Sequence, residues 1–429
     1  MAQKHLSAKA FPYTGEDVQA QTLPQPQETC LPQRTPSLQR PSRQSHPRPH
    51  TVEGILLGYE VPSGEPVRIP LFHTFITGMT RYGKSTAIEA IISRLPENYR
   101  ALIFDVKRPP DYAHLGATAP IYIEKHTDPL TLKALLEQSS KMWLRREFPE
   151  LVKLCRPEDT YETVLAKIEE RLESGRKLHP IVEDRLLTLK HLLRGLVQEM
   201  EKIPLASRLE LPNRINVMPL SQLPLEIQQL AVASSMKYAL ENLENLILVL
   251  DEASRFIPQR YKTPAKEAII RTIREGGAKG IWLILADQTI TLAEKTVLKQ
   301  VNTWILGRQR EINEARRTLE QIPFKTGFTE KDIQNLKVGH FIACLESEAH
   351  LTYVQPSWLP EFFAVKVARG EASPEEVEQF KPAPREVNDL VYKEKVEELE
   401  REKVRLQERV SQLENRIKEL EEELGQAEK

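Results

Sequence analysis

The stretch GMTRYGKST, Gly78 to Thr86, constrains this chain more than any other, because the pattern G-x-x-x-x-G-K-[ST] serves one physical purpose. Its glycines let successive backbone N–H groups converge on a phosphate, its lysine bridges terminal phosphates as a point charge, and the hydroxyl after it ligates Mg²⁺. Gly78, Met79, Thr80, Arg81, Tyr82, Gly83, Lys84, Ser85 and Thr86 are therefore the candidate residues for binding ATP; Lys84 is a candidate catalytic group and Ser85 a candidate metal ligand. The motif works only between a strand and a helix. Both are expected here: FHTFIT reads as a strand, and KSTAIEAIISRL repeats apolar residues at helical spacing through Ala87, Ile88, Ile91, Ile92 and Leu95.

A nucleotide hydrolase also needs a carboxylate to complete the metal site and another to act as base. LILVLDEAS supplies both: Asp251 ends an apolar strand, placed to hold Mg²⁺ through water, and Glu252 beside it is placed to orient and deprotonate the attacking water. Two adjacent carboxylates at a strand end also suit a helix cap, and it is the phosphate loop upstream that favours the catalytic reading. ALIFDV, 101 to 106, is another apolar run ending in a carboxylate, Asp105, with KRPPDY as a loop behind it. Further buried strands are expected at RINVMPL, IWLILA, TWILG and HFIACL, with helical stretches between several of them. Strands alternating with helices imply an α/β fold with a doubly wound, mainly parallel sheet.

The chain divides by composition. Residues 1–50, rich in Pro, Gln, Arg, Ser and Thr, hold too few large apolar groups to offset the entropy of ordering and read as a disordered tail. Residues 51–127 carry short strands and the phosphate loop, 128–213 an inserted all-helical subdomain, 214–360 the rest of the α/β core, and 361–385 a linker. Residues 386–429 form a C-terminal coiled coil: Val396, Lys403, Val410, Ile417 and Leu424 fall at a, and Leu399, Leu406, Leu413 and Leu420 at d. Leucine at d with mostly β-branched a positions favours a parallel pair, with Lys403 fixing register; a solvated helix folded on its own domain is the alternative. Sixty basic against sixty-one acidic residues give a net charge of −1, so any nucleic-acid contact must come from local patches or a pore. Lys141, Arg145, Arg146 and Arg156 in the helical insert form one such patch, or simply a solvated face. Cys30, Cys155 and Cys344 are too scattered for a disulfide framework or zinc site, and no apolar run is long enough to cross a bilayer. A soluble, cytoplasmic protein is the expectation.

Taken in order, HTFITGMTRYGKST, IFDVKRP, LILVLDEAS, REGGAKGIWLILADQ and TVLKQVNTWILGRQR resemble the HerA-FtsK superfamily of ring-forming P-loop ATPases, over about 55–125 and 215–355. The resemblance implies a RecA-like core, a hexamer with nucleotide at its subunit interfaces, and an arginine supplied by the neighbour. It also gives Gln288, at the tip of its strand beside Asp287, the role of γ-phosphate sensor. Relatives often place a basic residue eleven positions before that glutamine, and here the position is Gly277. Arg274 is the first substitute, ahead of Lys279, Arg271 and Arg308. Arg81 and Tyr82, on the outer crown of the loop, are then expected to face an adjoining subunit. The N-terminal barrel of a full HerA is expected to be reduced here to at most two or three strands, and the membrane helices of coupling proteins and FtsK are absent from the sequence.

Three functions fit these expectations: a soluble hexameric ATPase that translocates double-stranded DNA, an ATPase that remodels or exports a protein, and a nucleotide-switched assembly factor that engages a protein partner through its coiled coil.

Overall fold

The computed structural model describes residues 54–174, 178–259 and 262–381, together with Arg405 and Arg409, which are helical. The tail and, apart from those two positions, the heptads lie outside the described residues. The chain enters through a hairpin, β1 (Ile55–Glu60) and β2 (Pro66–Ile69), then β3 (Thr74–Thr77), α1 (Lys84–Ser93) and β4 (Arg100–Asp105). Short strands β5 (Ala117–Thr118) and β6 (Ile121–Tyr122) lead to helices α2 (Pro129–Ser140), α3 (Phe148–Leu154), α4 (Tyr161–Glu173) and α5 (Pro180–Glu201). A two-residue strand, β7 (Leu205–Ala206), closes that excursion by pairing in parallel with β6. Alternation resumes with β8 (Ile215–Pro219), α6 (Leu225–Asn242), β9 (Leu246–Asp251), α7 (Pro264–Glu275), β10 (Ile281–Asp287), α8 (Lys295–Leu298) and β11 (Thr303–Leu306). Helices α9 (Ile312–Leu319) and α10 (Glu330–Asn335), strands β12 (His340–Leu345) and β13 (Glu348–Val354), and helices α11 (Glu361–Arg369) and α12 (Pro374–Glu378) complete it.

Eleven strands form one sheet in the order β2-β1-β13-β12-β11-β3-β10-β9-β4-β8-β5. From β11 to β5 all neighbours are parallel, whereas β12, β13, β1 and β2 extend the sheet antiparallel. Parallel strands covered on both faces must be apolar throughout, and β3, β9 and β11 are buried at every position. The period of two shows in how β9 divides its side chains: Leu246, Leu248 and Leu250 join one core, with α2, α4, α5, α6 and α7, while Ile247 and Val249 join the other, with α1 and the entering hairpin. The helices of the insert thus bury Leu132, Leu136, Val164 and Leu189 in the core that also holds Leu248, not in a separate one.

Two features depart from the sequence reading. Strand β13 has no strong apolar signature, since only its last three residues are buried and its turn from β12 carries Glu346 at φ 30 in place of a glycine. The stretch from 361 onward, read as linker, is helical through α11 and α12. Its sequence looks like linker because it buries one narrow stripe, Phe363, Ala364 and Ala368, against Tyr59 and Tyr353.

Candidate functional site

Strand β3 ends at the buried Thr77, and the chain then turns through Gly78 at φ 148 and Gly83 at φ 100, values that favour glycine. At Gly78 the constraint is also steric: a Cβ there would lie 3.0 Å from Gly307 Cα, just beyond the end of β11. Two backbone bonds fasten the loop to that neighbour, Gly307 N–H to Thr77 O at 2.6 Å and Met79 N–H to Arg308 O at 2.7 Å. Helix α1 begins at Lys84 with Gly83 as its N-cap, and no side chain caps it. Its first N–H groups, with the positive end of the helix dipole, therefore face the loop as an anion site.

Lys84 is 7% exposed, and its Nζ donates to Gly78 O at 2.6 Å, inside its own loop. Burial lowers its pKa, with Asp251, Asp287 and Glu252 acting in the opposite sense and Lys107 in the same one. Those charges lie together because of strand order. β10 runs between β3 and β9, so the tips of all three strands meet at one edge of the sheet, which is where the crevice of an open α/β sheet forms.

Asp251, 1% exposed, accepts from Tyr112 Oη at 2.7 Å and from Lys107 Nζ at 2.6 Å on Oδ2, and from the Glu252 N–H at 2.9 Å on Oδ1. Ser85 Oγ donates to Asp111 Oδ2 at 3.0 Å; Lys107 Nζ reaches the same carboxylate oxygen at 2.8 Å and Ser85 Oγ at 3.4 Å. Burial works against the charge on Lys107, but Asp251 and Asp111 outweigh it and hold the pKa above its ordinary value. Burial and the neighbouring Asp251 push the Tyr112 phenol well up. Lys107, Asp111 and Tyr112 all lie on the KRPPDY loop after β4, whose shape depends on Asp105. That buried carboxylate accepts from Tyr112 N–H at 3.0 Å and from Lys107 N–H at 3.4 Å. Sequence reasoning singled out Asp105 and missed these three, because only the pairing of β4 with β9 brings their loop beside Asp251.

Glu252 has φ 55, in the left-handed region, and its Oε2 accepts from Arg255 at 3.1 Å. Asp287 is occupied by backbone: it accepts from Ser254 N–H at 2.6 Å and from Gln288 N–H at 2.7 Å, which fastens the tip of β10 to the turn after β9. Gln288 itself is exposed at that tip. Among the substitute basic residues, Arg271 pairs with Glu275 and Lys279 donates to Leu240 O near the end of α6. Arg274 is exposed on the last turn of α7 and makes no ion pair among the described residues.

The crown of the loop differs from expectation at one residue. Thr80 and Arg81 are exposed and Met79 and Thr86 are half-buried, but Tyr82 faces its own chain: Arg308 donates to Tyr82 Oη at 2.7 Å and lies 5.0 Å from the ring centroid. Sheet order brings Arg308 there, because β11 is the strand beside β3. In the insert, Lys141, Arg145 and Arg146 are exposed between α2 and α3, with Arg145 stacked over Trp143 at 5.7 Å.

Whether this site suits Mg²⁺ can be judged from its donors. Ser85 Oγ and the Asp251 and Asp111 carboxylates already converge on one cation, the Lys107 ammonium, so the oxygens fit a hard metal ion. Among the described residues there is no cluster of three or more His, Cys, Asp or Glu able to cage a metal alone. The cysteines add nothing: Cys155 and Cys344 are buried free thiols, pushed up to about 11 and about 12 by burial. No described helix is long and apolar enough to cross a membrane.

No protein-family model matches the sequence, and no curated protein matches it. Among solved structures the chain is similar to VirB4 of Thermoanaerobacter pseudethanolicus, at 14% identity and a TM-score of 0.56, covering 71% of this chain and 97% of that one. It is also similar to the bacterial conjugative coupling protein TrwB, at 12% identity and a TM-score of 0.47, over 71% of this chain and 91% of that one. A third is the genome packaging NTPase of Sulfolobus turreted icosahedral virus 2, at 14% identity and a TM-score of 0.35, over 64% and 91%.

Proposed function

We propose that this chain, which has the fold of the HerA-FtsK type P-loop ATPases, hydrolyses ATP as one subunit of a ring, a hexamer, and uses the cycle to move double-stranded DNA. One observation carries the hydrolase reading: an uncapped helix N-terminus behind a phosphate loop opens onto the same strand-tip crevice as Asp251 and Glu252. Motif order and the fold shared with VirB4 support the motor reading.

The roles follow from positions. On nucleotide entry Lys84 exchanges Gly78 O for the terminal phosphates and neutralises charge where it develops. Glu252, once released from Arg255, orients and deprotonates the attacking water. Ser85 and Asp251 would hold Mg²⁺, which neutralises the phosphate oxygens when bound. Gln288, at the exposed end of β10, is placed to report the state of the γ-phosphate, and Asp287 transmits it to the turn after β9. Arg274, exposed on α7, is the side chain offered to the neighbour's site, a contact that supplies about 10³- to 10⁵-fold in related chemistry.

ATP turnover measured with and without duplex DNA tests the proposal. Turnover should rise with DNA and vanish in Lys84→Ala. Full activity in Lys84→Ala would refute the site, and turnover indifferent to DNA but raised by a protein partner would replace the substrate.

A further inference from the structure

Lys107 is used by none of the roles above, yet it touches the two residues assigned to the metal. Its ammonium lies 2.6 Å from Asp251 Oδ2, 2.8 Å from Asp111 Oδ2 and 3.4 Å from Ser85 Oγ. The arrangement is built, not incidental. Lys107 follows β4, the strand paired with β9, so its loop starts beside Asp251, and Asp105 and Tyr112 pin that loop from both sides. Asp251 is buried, and a buried carboxylate needs a counter-charge.

We propose that Lys107 is an internal cation standing in the magnesium position, so that the site stays closed to metal alone and opens only to metal arriving with nucleotide. The inference rests on the ATPase reading. Two cations cannot share one carboxylate oxygen at such distances without strong mutual repulsion, which is least screened where the site is dry. Metal entry therefore requires the ammonium to leave Asp251. A nucleotide makes that exchange favourable, because its phosphates give the displaced ammonium new anionic partners. Free metal offers nothing of the kind. The lysine stem is flexible and its side chain 22% exposed, so withdrawal needs no rearrangement of the sheet. Lys84 is stowed in a parallel way on Gly78 O. The Lys84 ammonium is thus stowed until phosphates arrive, and the Lys107 ammonium until their metal does.

The test is binding of Mn²⁺, followed by electron paramagnetic resonance without nucleotide, in the unaltered chain and in Lys107→Met and Lys107→Gln. The glutamine variant keeps donors for both carboxylates and so preserves the loop should the methionine variant unfold. Both variants should bind Mn²⁺ about 10- to 100-fold more tightly than the unaltered chain, the range that groups bordering a metal site control. Equal or weaker binding in the variants overturns the role of Lys107. ATP binding by the unaltered chain with Mn²⁺, measured in parallel, separates the two readings: its absence would overturn the ATPase assignment, while its presence alongside unchanged Mn²⁺ affinity in both variants overturns only the internal cation.

Discussion

His73 gives the structure a pH dependence whose cause is visible in its surroundings. It lies one residue before β3, 4% exposed, with Leu283 N–H donating to Nδ1 at 3.2 Å and Nε2 donating to Ile273 O at 3.1 Å. That pair of bonds selects the neutral tautomer protonated on Nε2, and a proton on Nδ1 would meet the Leu283 N–H head-on. Burial lowers the pKa from 6.5 to about 4, with the Ile273 bond opposing the shift. Because the folded value is depressed, the unfolded chain takes up the proton first. The contribution is fully present above pH 6.5 and is lost as pH falls toward about 4. The drop from 6.5 to about 4 corresponds to roughly 3.5 kcal/mol, a large part of an ordinary domain's stability. Urea unfolding at pH 7, 6 and 5, compared between the unaltered chain and His73→Gln, isolates this term from the carboxylates common to both. Trp282, whose ring centroid lies 5.1 Å from that of His73, gives a local fluorescence signal for the same event. The stability difference should change by roughly 2 kcal/mol between pH 7 and 5. Parallel curves over that range would show that His73 protonates without penalty and that the reasoning is wrong. The consequence reaches the site, because Ile273 precedes Arg274 on α7 and Gln288 directly follows β10.

Glu252→Gln should keep nucleotide affinity while lowering turnover by about 10²- to 10⁴-fold, read by fluorescent-nucleotide titration beside a phosphate-release assay; normal turnover would assign the base elsewhere. Tyr112→Phe removes a donor from a buried carboxylate and should lower stability by about 1.5–3 kcal/mol in chemical denaturation; a change near zero would mean Lys107 and the Glu252 N–H together satisfy Asp251. Arg81→Ala should leave nucleotide binding intact and reduce the cooperativity of turnover, because Arg81 is exposed on the crown while Tyr82 is committed to Arg308. Unchanged kinetics would make that side chain a spacer.

The sequence by itself determined what is local. A glycine at φ 148, an uncapped helix start and a strand ending in Asp251 are properties of a few consecutive residues, so GMTRYGKST and LILVLDEAS disclosed them. Apolar periodicity likewise disclosed β3, β4, β9, β10, β11 and β12, since burial on both faces demands continuous apolar runs. It failed for β13, of which only the last three residues are buried, and for α11, which buries one narrow stripe. Tertiary structure decided what depends on strand order. Tyr112 and Asp251 are 139 positions apart, and Tyr82 and Arg308 are 226. No local pattern reports that β4 lies against β9 or β11 against β3. The sheet, by setting those neighbours, placed an ammonium among the candidate metal ligands and turned the loop's tyrosine inward, because side chains at adjacent strand tips meet however far apart they are along the chain.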